Sequence, residues 1–184
     1  MMKAIRYVAL AALTWAQLAC AATPTPEQKE VTAFMHKMYS YSANMFEFGR
    51  FNGTYNPGDF CTLMGDFFVG SLIARPEKNK GCDVAFIRYP GAGSEDLGLN
   101  RNSGEMPKPK LSPPIVEGDK ATVTSETKKY GRTVFFLTRT DKGWRVENAM
   151  YYDSIPTEGN ICHMQFLKDP TPAQLKYRPA CKDY

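Results

Sequence analysis

Three consecutive stretches rich in β-branched and aromatic residues constrain this chain more than any other feature: Ala121 to Lys129, Arg132 to Thr140 and Trp144 to Tyr152. Only Tyr130-Gly131 and Asp141-Lys142-Gly143 separate them, and such short glycine-bearing connections oblige neighbouring strands to pair antiparallel. The expectation is a meander. On its third strand, strict alternation puts Trp144, Val146, Asn148, Met150 and Tyr152 on one face and Arg145, Glu147, Ala149 and Tyr151 on the other, one face core and one wetter.

A half-apolar sheet needs a cover, and the preceding sequence supplies one. From Glu27 to Phe48 the residues Val31, Phe34, Met35, Met38, Tyr41, Met45 and Phe46 recur at spacings of three and four, the stripe of an amphipathic helix. Thr25-Pro26 offers a capping hydroxyl followed by a first-turn proline, and Gly49 offers a stop. A second helix is expected from Asp59 to about Ala74, entered through Asn56-Pro57-Gly58 and carrying Phe60, Cys61, Leu63, Met64, Phe67, Phe68 and Leu72. Arg75 to Gly81 reads as a loop, and Asp83 to Tyr89 as helix or strand. Between Pro90 and Pro114, Gly, Pro, Asn and Ser dominate, which predicts a long surface connection. Gly91-Ala92-Gly93 within it lacks the lysine and flanking elements of a phosphate loop and reads as a turn. Pro170, Pro172 and Pro179 leave the tail from Asn160 to Tyr184 little regular structure beyond a helical turn near Thr171 to Lys176. Helices followed by strands give an α+β fold, with N-terminal helices packed on a curled antiparallel sheet.

The first residues are of another kind. Lys3 and Arg6, an apolar run from Tyr7 to Ala16, and small residues around Leu18-Ala19-Cys20-Ala21-Ala22 follow the order of a secretory signal. Residues 1–21 are therefore expected to be removed, leaving one domain over 22–184 in the periplasm or outside the cell. Cys20 keeps a second reading open, that of a lipoprotein acylated at that cysteine. The apolar run falls short of the roughly 20 residues of a bilayer-spanning helix, so no membrane span is expected. The formal charge of +4 becomes +2 without Lys3 and Arg6, too slight to imply a nucleic-acid partner.

Of five cysteines, setting Cys20 apart leaves Cys61, Cys82, Cys162 and Cys181. An even set in an exported chain points to disulfides, which would staple the domain. Three pairings are possible; Cys61 with Cys82 and Cys162 with Cys181 close the short loops and are favoured on that ground. There is no CxxC pair, and His36 and His163 are the only histidines, so neither a metal site nor a cofactor is expected.

The order of elements, with Gly118-Asp119-Lys120-Ala121-Thr122-Val123 through Leu137-Thr138-Arg139-Thr140-Asp141-Lys142-Gly143-Trp144-Arg145-Val146, resembles the superfamily of nuclear transport factor two and ketosteroid isomerase. Within it the chain is similar to a branch of exported bacterial proteins whose strand pair carries the pattern charge-Gly-Trp-basic-aliphatic. The resemblance spans about residues 27 to 155 and implies a cone-like fold, its sheet curled around the long helix over a cavity used for catalysis in some relatives and for binding in others. It carries no catalytic residue onto this chain, because no general-base aspartate and oxyanion-hole tyrosine fall on matching positions.

The chemistry-bearing residues each have a plain reading beside the functional one. His36 falls opposite the apolar stripe of its helix and is expected in solvent, and His163 is expected in solvent on the tail. Asp59 reads as a helix cap. Asp66, beside Phe67-Phe68, is either a solvated carboxylate or a desolvated one of raised pKa. No Gly-x-Ser-x-Gly elbow or His-Glu-x-x-His helix supports a hydrolase. Aromatic residues make up 12% of the chain, and rigid aromatic surface favours recognition. Tyr55, Asp66, Arg88, Tyr89, Arg145, Tyr151 and Tyr152, with Tyr39 and Tyr41, are the candidate binding residues. These features lead to a binding or inhibitory protein with a protein partner, an immunity protein neutralising an envelope-targeted toxin or hydrolase being the specific version. A small-molecule-binding or enzymatic cavity protein is the alternative.

Overall fold

The computed structural model describes residues 23–52, 64–74, 83–84, 109–127, 131–155, 161–178 and 182–183. Residues 1–22, Cys20 among them, and Cys61, Cys82, Cys181, Tyr55, Asp59, Arg88 and Tyr89 lie outside them, and so does most of the Pro90 to Pro114 connection.

Helix α1, Pro26–Asn52, starts where its sequence provides partners for the first free N–H groups. The Gln28 N–H donates to Thr25 Oγ1 at 3.2 Å and the Thr25 N–H to Gln28 Oε1 at 2.9 Å, a reciprocal capping box with Pro26 at the first turn. Gly49 does not stop it. One glycine costs a helix only about 1 kcal/mol, and the helix continues to Asn52. Val31, Met35, Met38 and Tyr39 are buried, whereas His36 is exposed, as its place on the wheel requires.

The second helix is shorter than its apolar content suggests. Residues 64–67 are helical, but Phe68 then bridges to Val146, and the Val69 N–H donates to the Val146 carbonyl at 3.0 Å. A 3-10 turn, Gly70–Leu72, leads into β1, Ile73–Ala74, which pairs antiparallel with β2, Asp83–Val84. The open carbonyl of Val146 competes successfully with another helical turn.

The main sheet contains β3 (Lys110–Leu111), β4 (Ile115–Glu117), β5 (Lys120–Thr127), β6 (Gly131–Thr140), β7 (Gly143–Ile155), β8 (Ile161–Phe166) and β9 (Lys182–Asp183). β5, β6, β7 and β8 are consecutive antiparallel neighbours, β3 and β4 share the outer side of β5, and β9 joins β8 in parallel. Pro113 and Pro114 lack the N–H a strand needs, which breaks that edge between β3 and β4. Gly118 and Gly143 take positive φ, 65° and 90°, at the hairpin turns, a conformation that costs glycine nothing. The α+β class and the three-strand meander follow the sequence.

Two features do not. The expected connection up to Pro114 contains β3, and the expected irregular tail opens with β8, because its prolines begin only at Pro170. More consequential is a bulge in β7: Leu137 pairs with Val146 and Phe136 with Asn148, leaving Glu147 as the extra residue. Strict alternation therefore fails. Trp144 and Val146 share the α1-facing side with Ala149 and Tyr151, while Asn148, Met150 and Tyr152 turn to the opposite side.

Both sides are covered. On one, α1 and residues 64–72 pack on Ala121, Val123, Phe135, Leu137, Trp144, Val146 and Ala149, with Phe34 and Phe67 rings 5.5 Å apart. On the other, Val134, Phe136 and Met150 meet Met164, Phe166 and Tyr177, with the Tyr177 ring edge-on to Phe136 at 5.6 Å. A helical turn, α2 (Pro172–Leu175), positions Tyr177 and has its own capping box between Thr171 and Gln174. Asn148 ties this turn to the sheet: its amide donates to the Lys168 carbonyl and Gln174 Oε1, and its oxygen accepts from the Ala149 and Lys168 N–H groups. Among the described residues, no helix is long and apolar enough to cross a membrane.

Candidate binding face

Residues opposite one another in an antiparallel ladder share a face, so the strand registers sort the α1-facing side into rows. Two rows, Ala121–Leu137–Val146 and Val123–Phe135–Ala149, are apolar and buried. The next is polar throughout: Ser125 opposite Thr133, Thr133 opposite Tyr151, and Tyr151 opposite Gln165. Ser125 and Thr133 are buried, and Tyr151 is half-buried at the edge of the core. One row further out, Asp153 stands opposite His163 at register positions on the same face.

From above, α1 contributes Tyr39. Its hydroxyl donates to Ser125 Oγ at 2.8 Å, and its ring stands edge-on to Phe135 with centroids 6.3 Å apart. Burial pushes the Tyr39 phenol well above the ordinary tyrosine range, with the Ser125 hydrogen bond a smaller, opposing influence. Tyr39 is thus a neutral hydrogen-bonding group at any physiological pH. Burying a hydroxyl is costly unless it is bonded, so three hydroxyl side chains on an otherwise apolar helix–sheet interface mark the place where the core gives way to polar chemistry.

At the far end of the same face, Arg139 lies opposite Trp144, its guanidinium 4.9 Å from the indole centroid and 2.5 Å from Glu30 of α1. The Trp144 indole N–H is buried without a hydrogen-bond partner. The opposite face of the sheet carries Arg132, whose guanidinium donates to the Tyr152 hydroxyl at 2.8 Å and lies 3.6 Å from Glu126. These bonds hold the guanidinium of Arg132 more firmly protonated than usual, through the Tyr152 hydrogen bond first.

Of the candidate residues read from the sequence, Asp66, Arg145, Tyr151 and Tyr152 are among the described residues, and these four are not gathered on one face. Tyr151 and Tyr152 occupy opposite faces of β7. Arg145 folds back on its own turn, donating to the carbonyls of Lys142 and Trp144 at 3.0 and 2.8 Å, so it serves the hairpin. Asp66 is exposed, the solvated reading of that carboxylate. Tyr39 is a core residue rather than a surface aromatic, 7% exposed. Sequence reading missed Ser125, Thr133 and Asp153 and put His163 on an irregular tail. The available signal was Ala121-Val123-Ser125 set against Thr133-Phe135-Leu137: in antiparallel pairing the two polar ends coincide.

Among the described residues, no group of three or more His, Cys, Asp or Glu is placed to hold a metal ion. Comparison with protein-family models, with curated proteins and with solved structures finds no match to this chain.

Proposed function

We propose that this is an exported binding protein whose ligand site is the polar end of the α1-facing sheet surface. The observation that carries the reading is the cross-sheet row Ser125–Thr133–Tyr151–Gln165, met from above by the Tyr39 hydroxyl. Apolar residues at these positions would stabilise the helix–sheet contact more, so a run of hydroxyls next to a half-buried tyrosine is better accounted for by a ligand than by folding. The resemblance to the cone-shaped superfamily supports the same location, since a sheet curled around a long helix would open beyond its apolar core.

Export rests on the signal-like residues 1–21, with acylation at Cys20 as the other fate. Disulfide stapling rests on the even set of four cysteines in an exported chain, with Cys162–Cys181 and Cys61–Cys82 favoured because they close the short loops. The inhibitory reading, with a toxin or envelope enzyme as partner, ranks second. The aromatic surface it relied on is divided between core and two faces, and the exposed large apolar side chains among the described residues are Ile115 and Leu175, on separate elements.

The test is native mass spectrometry of the mature, disulfide-intact protein after exposure to envelope extract of its own cells. A small-molecule adduct lost in Tyr151→Ala, with the variant still folded by circular dichroism, supports the reading. A stoichiometric protein partner retained by Tyr151→Ala transfers support to inhibition.

A further inference from the structure

We propose that the outer edge of the sheet, residues 110–117, is a self-association surface whose partner is a second copy of this chain. The two edges run antiparallel about a two-fold axis between Pro113 and Pro114.

β3 and β4 form one interrupted edge strand, and among the described residues β5 is the strand that pairs with them. In an antiparallel ladder the backbone groups of successive residues point alternately toward and away from the neighbour. The Ser112 N–H donates to the Thr124 carbonyl at 2.8 Å, so Ser112 faces β5 and the N–H and C=O of Leu111 face away. Beyond the prolines, Glu117 and Lys120 close the two-residue turn Gly118-Asp119 as a bonded pair, which directs the groups of Val116 outward as well.

A two-fold axis between the prolines sets Leu111 against Val116 of the second copy, with an exchange of backbone hydrogen bonds at both ends of the junction. Both side chains pack against the α1-facing core, so opposed residues share a face, as one continuous sheet requires. The same symmetry places Lys110 opposite Glu117 of the second copy, an opposite-charge pair repeated at each end. Both residues are exposed, and none of the ion pairs among the described residues uses either. Ile115, 51% exposed, falls opposite Ser112 and loses solvent contact there.

The prolines select the partner. Pro113, next after Ser112, faces outward without an N–H, so an arbitrary strand laid on this edge would have an acceptor left unanswered. In the two-fold arrangement Pro113 meets Pro114, and neither side brings an N–H to the centre. Their carbonyls are already engaged: Gln28 Nε2 donates to that of Pro114 at 2.9 Å and Ser112 Oγ to that of Pro113 at 3.4 Å.

Sedimentation velocity of the mature chain over a concentration series, with amide hydrogen exchange at its two extremes, tests this. A dimer should grow with concentration, and exchange should slow at Leu111 and Val116 but not at Ser112, whose N–H is already bonded. Lys110→Glu or Glu117→Lys alone should weaken the dimer by about tenfold, because two attractive pairs become repulsive. The two substitutions together should restore it, with circular dichroism reporting that each variant keeps the parent fold. A chain that stays monomeric at every concentration overturns the proposal. So does a dimer that tolerates both single charge reversals, or one in which the Leu111 and Val116 amides exchange as fast as in the monomer.

Discussion

Tyr39 shows how one residue changes meaning between sequence and structure. As one of ten tyrosines it was a candidate for recognition; on α1 it follows Met38 and stands four residues after Met35, which carries it into the core. Its folded-state phenol has a raised pKa, so its stabilising effect is complete below the unfolded value of about 10 and is lost as pH climbs beyond it, because the unfolded chain releases the proton first. Tyr39→Phe should therefore begin alkaline unfolding at a higher pH than the parent, while losing about 1 kcal/mol near neutrality with the Ser125 bond; urea titrations at the two pH values check both signs. Trp144 offers a contrast. Its indole N–H has no partner, so Trp144→Phe removes an unanswered donor and should cost less than about 2 kcal/mol, against about 3–5 for Trp144→Ala.

At the scale of elements, capping was legible and the bulge was not. Thr25-Pro26-Glu27-Gln28 and Thr171-Pro172-Ala173-Gln174 spell the same pattern, and each forms a capping box, because the chemistry involved spans only four residues. The second box is locked by a distant residue. Asn148 satisfies groups on both Lys168 and Gln174, so Asn148→Ala should destabilise by about 2–4 kcal/mol, with hydrogen exchange accelerated first at the Ala149 and Lys168 amides. The bulge makes a sharper prediction. Deleting Glu147 restores regular alternation on β7 with both faces intact and removes one ion pair to Lys120, a loss of about 1 kcal/mol. Deleting Ala149 also removes the bulge and leaves Met150 onward in register, but it turns Asn148 into the apolar Ala149 position and breaks its bonds to Lys168 and Gln174, and should cost about 2–4 kcal/mol more. Thermal melts of the two deletions separate these outcomes.

For the whole molecule, export and stapling are linked predictions. The mature protein should begin at Ala22, or carry a lipid on Cys20, as intact-mass measurement will show. Reduction of the paired cysteines should lower its stability by about 3 kcal/mol per bridge, read from urea midpoints with and without reductant. The meander, the first helix, its cap and the α+β class were legible because each is dictated by neighbours in the chain: alternation, a 3.6-residue stripe, turn glycines. What the tertiary structure alone decided is where those elements agree to differ from their local pattern. Glu147 is the extra residue only in the register that β6 takes against β7, and Ser125, Thr133 and Tyr151 share one face only through registers across three strands. Such pairings depend on contacts far apart in the chain, which hydrophobic periodicity does not encode.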